Sequence, residues 1–369
     1  MTKVGILSMQ RIANYGSFLQ AYGLKQILED MGCSVQFVDY HPGETLIPAD
    51  GGIGLKRKIS KAMEAIGCHA PLKEKIRFVQ YKLNYAANYF PYLGISETMN
   101  YSPELDVLFI GSDEVFNCVQ NNPHVGFTPE LFGQNSRATR LVTYAASFGN
   151  TTYEKLVQCH IDGQLRNWLN EFDAISVRDR NSEKVIEKLT KGIPECHLDP
   201  VLIFDFLNRC GEIPKTVSDS EYILLYGYSG RFSREECRAI QKYANQSKLK
   251  ILCIGGIQDC CNKFIDCNPF QVIAYFQHAK CVVTDTFHGT ILSVITHRQF
   301  VSVVRNTEYG NYEKMTDLLK RLGLLDRIVD NMGECSSKMQ SKINYTSVDE
   351  LIRRERSRSY EYLKRQIEF

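Results

Sequence analysis

The stretch Cys281–Ser293 holds the residues whose types and order could do chemistry. A β-branched run ends in Asp285, a short polar turn follows, and His288-Gly289-Thr290 opens an apolar helical pattern. This reads as a strand, a loop and a helix N-terminus with a histidine at its mouth. In an open α/β sheet, ligands bind in the crevice at the carboxyl ends of the strands. The first N–H groups of a helix and the positive end of its dipole attract phosphate and carboxylate. His288 could donate to such an anion and also move protons near neutral pH. Gly289 and Thr290 would bring backbone N–H groups to the same anion. Asp285 could orient the imidazole, take an acceptor's proton or cap the turn. Arg178 and Arg305 each follow a predicted strand, and their planar forks suit carboxylate and phosphate. The chemistry expected is group transfer from a small anionic donor.

The elements that must position these groups follow an α/β rhythm. Val4–Leu7 is a strand, Gln10–Gly16 a polar loop, and Leu24, Ile27, Leu28 and Met31 recur at helical spacing before Gly32. With the strand Val35–Val38 this closes a βαβ unit of Rossmann type, but without the G-x-G-x-x-G of a dinucleotide site. The loop after the first strand presents Asn14, Tyr15, Ser17 and Gln20, hydrogen-bonding and stacking groups suited to a sugar acceptor. Gly16 is expected to permit a tight entry to the helix. Further strands are predicted at 105–110, 141–145 and 174–178, the first leading into Gly111-Ser-Asp113, where Asp113 could contact an acceptor hydroxyl.

Residues 211–220 read as a domain boundary. Past them strands are predicted at 222–226, 251–254, 281–284 and 300–304, with helices between. The fold class expected is therefore α/β, two Rossmann-like βα domains facing each other across a cleft, resembling the GT-B architecture. The first spans 1–210 and forms the acceptor side. The second spans 211–345 and holds the donor, and a helix in 346–369 packs back on both. Residues 45–100 break the rhythm as a helical insertion. From Leu55 to Tyr89 it carries eight Lys/Arg against two Glu. That basic face is either solvated surface or a contact for an anionic, lipid-linked acceptor or the membrane surface.

Composition narrows the function classes. In 369 residues, Lys and Arg number 44 and Asp and Glu 42, so the near-neutral balance argues against a nucleic-acid partner. No apolar stretch is long enough for a membrane span, and the N-terminus lacks a signal-peptide pattern. The expected location is cytoplasmic, with peripheral contact at the inner membrane face as an extension. The 13 cysteines are odd in number and contain no C-x-x-C pair, so buried reduced thiols are expected rather than a metal site.

Several motifs, taken in order, resemble the polysaccharide pyruvyl transferase family. They are Val4-Gly-Ile-Leu7 with Asn14-Tyr-Gly-Ser-Phe-Leu-Gln-Ala-Tyr22, Gly111-Ser-Asp-Glu-Val-Phe-Asn117, Tyr144-Ala-Ala-Ser-Phe-Gly149, Ile175-Ser-Val-Arg-Asp179, Asp199-Pro200, Thr284-Asp-Thr-Phe-His-Gly-Thr290 and Asp317-Leu-Leu-Lys-Arg-Leu-Gly-Leu324. Glu114 and Phe116 depart from the family's Gln and Trp. The resemblance implies transfer of pyruvyl from phosphoenolpyruvate onto sugar hydroxyls, often as a cyclic ketal, in surface polysaccharide (capsule or exopolysaccharide) biosynthesis. It implies His288 as the catalytic residue and Arg178 as a ligand of the donor, with Arg305 as the second cation. Phosphoenolpyruvate would be a co-substrate, with no cofactor and no metal. Two rivals remain: a GT-B glycosyltransferase using a nucleotide sugar, and a non-catalytic sugar- or nucleotide-binding module.

Overall fold

A computed structural model describes residues 1–47, 68–217, 221–305 and 312–368. The first part of the expected insertion, with Lys56, Arg57, Lys58 and Lys61, lies outside the described residues. The first domain is built on a parallel sheet of β1 (Lys3–Leu7), β2 (Ser34–Phe37), β3 (Glu104–Ile110) and β4 (Arg137–Thr143), in the order β2-β1-β3-β4. A short parallel pair, β5 (Ser176–Val177) and β6 (Glu195–Cys196), extends it through bridges from Val142 to Ala174 and Ala146 to Val177. The second sheet contains β7 (Tyr222–Tyr226), β8 (Lys250–Ile254), β9 (Lys263–Phe264), β10 (Cys281–Thr284), β11 (Phe300–Val303) and β12 (Ile328–Val329). Its order is β12-β11-β10-β7-β8-β9, and every pairing is parallel. The chain is thus two Rossmann-like α/β domains. Every residue of β7, β10 and β11 is buried, as a parallel sheet covered on both faces requires.

The order of the strands fixes where a ligand can sit. In each sheet the chain reverses direction of growth once, between β1 and β3 in the first and between β7 and β10 in the second. Loops leaving adjacent strands at such a point go to opposite faces, which opens a crevice at their carboxyl ends. The two crevices confront each other, so the loops 8–14 and 111–114 of one domain meet 227–231 and 285–286 of the other.

The helix Leu72–Tyr89 ties the domains together. Its buried face carries Phe78, Tyr81, Tyr85 and Tyr89. Tyr81 and Tyr85 pack against Tyr15 at ring distances of 5.5 and 5.6 Å, while Phe78 and Tyr81 meet Phe264 of β9 at 5.4 and 5.6 Å. The Glu74 carboxylate accepts the Phe264 N–H at 2.8 Å, so the helix also covers the open edge of the second sheet. The described part of the insertion is therefore an interdomain clasp as well as a basic surface. The last helix, Thr346–Ile367, returns to the first domain, where Tyr362 donates to the Thr143 carbonyl at 2.8 Å and Arg365 pairs with Glu195 at 2.8 Å.

Local structure differs from expectation where tertiary pairing outweighs pattern. The first helix begins at Tyr15, because the Asn14 side chain accepts the Gly16 N–H at 2.7 Å and caps it. β4 starts four residues earlier than its apolar run, its polar half pairing with β3 from Glu104 onward. All the cysteines are unbridged, and eleven are buried. No described helix is long and apolar enough to cross a membrane.

Tyr85 offers a test of the clasp. Its ring is fully buried, yet its hydroxyl has no hydrogen-bond partner among the described residues. Tyr85→Phe removes an unpaired buried polar group and is expected to leave stability unchanged or raise it by up to about 1 kcal/mol. Tyr85→Ala leaves a cavity and is expected to cost about 3–5 kcal/mol. Denaturant unfolding of both variants checks the pair.

Candidate active site

A cavity of about 270 Å³ lies where the two switch points meet. On the second domain, Thr286 caps the helix Phe287–Ile295, its hydroxyl accepting the Gly289 N–H at 3.0 Å. The Phe287 and His288 N–H groups, first in that helix, have no hydrogen bond among the described residues. Gly289 has no room for a side chain, since a Cβ would overlap Thr284 Oγ1. Thr290 bonds to the Thr286 carbonyl at 3.1 Å and to Ser302 Oγ at 2.7 Å. Both residues hold the helix against β10 and β11, and neither lines the cavity.

His288 is 9% exposed, and its two ring nitrogens have different surroundings. Nε2 is buried and faces Asp199 Oδ2 at 3.6 Å. Nδ1 has no hydrogen bond among the described residues, and His288 as a whole lines the cavity. It lies beside Gly16, where a Cβ would overlap Nδ1 and Cγ of the ring. Gly16 is thus needed for the approach of a helix to the imidazole across the domain boundary. Its backbone conformation asks for nothing unusual, as it does not have a positive φ.

Asp199 belongs to the first domain and caps the short helix Pro200–Ile203 through the Val201 N–H at 3.0 Å. Its Oδ2 also accepts from Arg178 Nη1 at 2.8 Å. Burial alone would raise the Asp199 pKa, but His288, Arg178 and the Val201 N–H hold it down to about 2. Arg178 follows β5 with a side chain only 3% exposed. Its Nη2 reaches Asp113 Oδ1 at 3.3 Å, and its guanidinium lies 4.5 Å from the Phe287 ring centre. Burial works against its charge, but the facing carboxylates outweigh it and raise its pKa. Asp113 holds a positive φ of 77° and accepts the Ser17 hydroxyl at 2.7 Å. One chain of polar and ionic contacts therefore runs Ser17–Asp113–Arg178–Asp199–His288 and crosses from one domain to the other.

The remaining expected residues take other places. Asp285 does not meet His288. Its carboxylate, fully buried, pairs with Arg231 Nε at 2.9 Å and lies 3.8 Å from Arg305 Nε. Burial raises its pKa, with the two arginines opposing. Arg305 is held by both oxygens of Glu236, at 2.8 and 3.1 Å, and does not line the cavity. Tyr15 lines the cavity but gives its hydroxyl to the Cys267 carbonyl at 2.6 Å. Gln20 is buried behind it, donating to Ser8 Oγ and the Ser17 carbonyl at 2.8 and 3.0 Å. Asn14 spans the cleft to the Tyr228 hydroxyl at 2.6 Å.

Sequence reasoning gave no role to three cavity residues, Arg231, Lys314 and Glu114, or to Asp199 behind the cavity wall. Arg231 is held at Nε by Asp285, and its terminal nitrogens have no hydrogen bond among the described residues. Lys314 reaches from the second domain to Glu114 at 2.6 Å. Burial acts to raise the Glu114 pKa, but Lys314, Arg178 and Asn117 hold it at about 2. Asp199 gave a usable signal, since an Asp before a Pro marks a helix start. Arg231 gave none, as no periodicity or motif distinguishes it from a surface arginine. Among the described residues, no group of three His, Cys, Asp or Glu is arranged to hold a metal ion.

Comparison with known proteins gives one family match and several distant structural likenesses. The family described as polysaccharide pyruvyl transferase matches residues 14–307. No curated protein matches the chain. Solved structures that resemble it include the UDP-N-acetylglucosamine 2-epimerase of Methanocaldococcus jannaschii, at 10% identity and a TM-score of 0.47, covering 96% of this chain and 99% of that one. A glycosyltransferase of kitacinnamycin has 10% identity and a TM-score of 0.47, with 99% of each chain covered. A putative UDP-N-acetylglucosamine 2-epimerase of Listeria monocytogenes has 10% identity and a TM-score of 0.42, over 95% and 94%.

Two outcomes test the geometry. Gly16→Ala is expected to displace the imidazole and abolish the activity of the site with the fold retained, read by turnover and circular dichroism. Asp199 has a folded pKa below its ordinary 3.8, so its contribution is present above that value and lost as pH falls toward 2. The depression corresponds to about 2 kcal/mol. Thermal unfolding from pH 5 to 2 is expected to fall less steeply in Asp199→Asn than in the parent.

Proposed function

Since the chain belongs to the polysaccharide pyruvyl transferase family, we propose that it moves the pyruvyl group of phosphoenolpyruvate onto sugar hydroxyls of a polysaccharide precursor and closes a ketal. The observation that carries this reading is the Asp199–His288 pair at the wall of a cavity that also holds helix N–H groups without a hydrogen bond among the described residues and the Arg231 fork. The donor is a small skeleton with a phosphate and a carboxylate. The N–H groups of Phe287 and His288 and the terminal nitrogens of Arg231 suit those two anions, and Lys314 adds charge at the rim. Arg178, whose fork is engaged by Asp199 and Asp113, acts by holding that pair of carboxylates in place. Arg231 thus takes the role expected of Arg305.

The steps follow from the ring's two sides. Asp199 fixes Nε2–H and stabilises the imidazolium, in the manner of a carboxylate behind a catalytic histidine. Nδ1–H protonates the donor methylene, leaving an oxocarbenium at the neighbouring carbon. A sugar hydroxyl adds there and returns its proton to Nδ1. A second hydroxyl of the same sugar then displaces phosphate, breaking the C–O bond and giving its proton to the leaving group. Asp113 and Ser17 on the opposite wall suit the acceptor hydroxyls.

Incubation of acceptor glycans with phosphoenolpyruvate, followed by mass spectrometry and phosphate assay, tests the reading. A pyruvyl ketal with one phosphate released per ketal is expected, and transfer from a labelled nucleotide sugar instead would contradict it. His288→Ala is expected to lose about 10²–10⁴-fold in turnover. Arg231→Gln is expected to raise KM for phosphoenolpyruvate about tenfold or more. Arg305→Gln is expected to change KM much less.

A further inference from the structure

Two cavity residues of the second domain, Tyr228 and Arg231, lie on the loop 227–232 that follows β7. Arg231 reaches Asp285 through Nε at 2.9 Å, and the Tyr228 hydroxyl accepts from Asn14 Nδ2 at 2.6 Å across the cleft. These contacts hold the side-chain heads. A guanidinium presents its fork to an anion in one direction only if the backbone behind it is held as well.

The loop 255–258, which follows β8, supplies that hold. The Gly230 N–H donates to the Ile257 carbonyl at 3.1 Å, and the Ile257 N–H donates to Ser229 Oγ at 3.0 Å. Gln258 closes the arrangement. Its side chain lies in the interior, the residue being 1% exposed, and both of its polar atoms are used. Nε2 donates to the Tyr228 carbonyl at 2.6 Å, and Oε1 accepts the Phe232 N–H at 3.3 Å. Those two backbone groups are four residues apart and would bond to each other in an α-helix. Here one carboxamide stands between them and joins the two ends of the segment that carries Arg231. The position asks for a donor and an acceptor side by side on one long side chain. Gln has both, Glu lacks the donor, and Met has no N–H and only a weak acceptor. Gln258 does not line the cavity, so any effect it has on a ligand there passes through the loop.

We propose that Gln258 is a positioning residue of the donor site. By spanning the Tyr228 carbonyl and the Phe232 N–H, it fixes the backbone of Arg231 and so the direction of the terminal nitrogens that face the donor anion. This rests on the pyruvyl transfer reading for the identity of that anion, and adds to it the group that aims Arg231 from behind. Without the carboxamide, two backbone groups lose their partners and the segment loosens toward water. Arg231 then spreads over several directions, of which few meet the anion. The loss falls on donor binding. His288 and Asp199 stand on other loops and keep their proton transfer.

The test is steady-state kinetics of the full chain with phosphoenolpyruvate and an acceptor glycan, in Gln258→Met and Arg231→Gln separately and together, beside hydrogen exchange over residues 228–232. Met keeps the volume of Gln without its amide. Gln258→Met is expected to raise KM for phosphoenolpyruvate about tenfold, to leave kcat within about twofold, and to speed exchange over 228–232. In the Arg231→Gln background the same change is expected to add less than about twofold, because the group it aims is gone. Gln258→Asn, with the amide on a shorter stem, is expected to fall between the parent and Gln258→Met. An unchanged KM, an equal rise in both backgrounds, a loss confined to kcat, or unchanged exchange overturns the proposal. If circular dichroism shows Gln258→Met misfolded, Gln258→Asn decides by the same criteria. A parent that does not use phosphoenolpyruvate contradicts the transfer reading alone. Binding of inorganic phosphate by the same variants, with the same dependence on Arg231, then decides the role of Gln258.

Discussion

The Asp199 carboxylate sits fully buried between the Arg178 guanidinium at 2.8 Å and the His288 imidazole at 3.6 Å. An anion so far from water is tolerated only when opposite charge and hydrogen bonds surround it. Here the guanidinium, the imidazole and the Val201 N–H meet that requirement together. Because Arg178 lies on the first domain and His288 on the second, the same demand draws the two domains into one geometry. The imidazole faces Asp199 Oδ2 at 3.6 Å and adds to the hydrogen bonds that Arg178 and the Val201 N–H already give this carboxylate.

The surrounding fold serves that arrangement at longer range. Both sheets reverse at a switch point, so both present their loop crevices to the same space. The aromatic clasp from Phe78 to Tyr89 and the returning helix Thr346–Ile367 fasten the domains on separate surfaces. Lys314 and Glu114 add a link at the rim of the cavity itself. Close approach does the rest. Gly16 leaves the space into which the imidazole fits, and Gly289 lets the helix mouth settle on Thr284.

Much of the architecture was legible in the sequence because parallel strands buried on both faces leave unbroken apolar runs, as at Tyr222–Tyr226 and Cys281–Thr284. The two-residue strands β6, β9 and β12 are too short to show a period and form only by pairing with an existing edge. At the cavity, His288 and Arg178 stand out in the sequence because each follows a strand in a strand-to-loop pattern. The contact of Gly16 with the imidazole was not legible, since the two are 272 positions apart in sequence, 288 less 16. Arg305 was expected at the donor because nothing local reveals Glu236, which reaches it from another helix. Arg231 was passed over for the converse reason: the buried Asp285 that aims it is adjacent only in space.

The central claim is that His288 delivers a proton to the methylene of phosphoenolpyruvate while a sugar hydroxyl takes the adjacent carbon. Running the reaction in deuterium oxide and examining the product ketal by NMR tests this most directly. The account predicts one deuterium in the methyl group of each pyruvyl ketal formed, with phosphate released in equal amount. A ketal methyl without deuterium, or an acceptor that gains a sugar residue and no pyruvyl group, would contradict it.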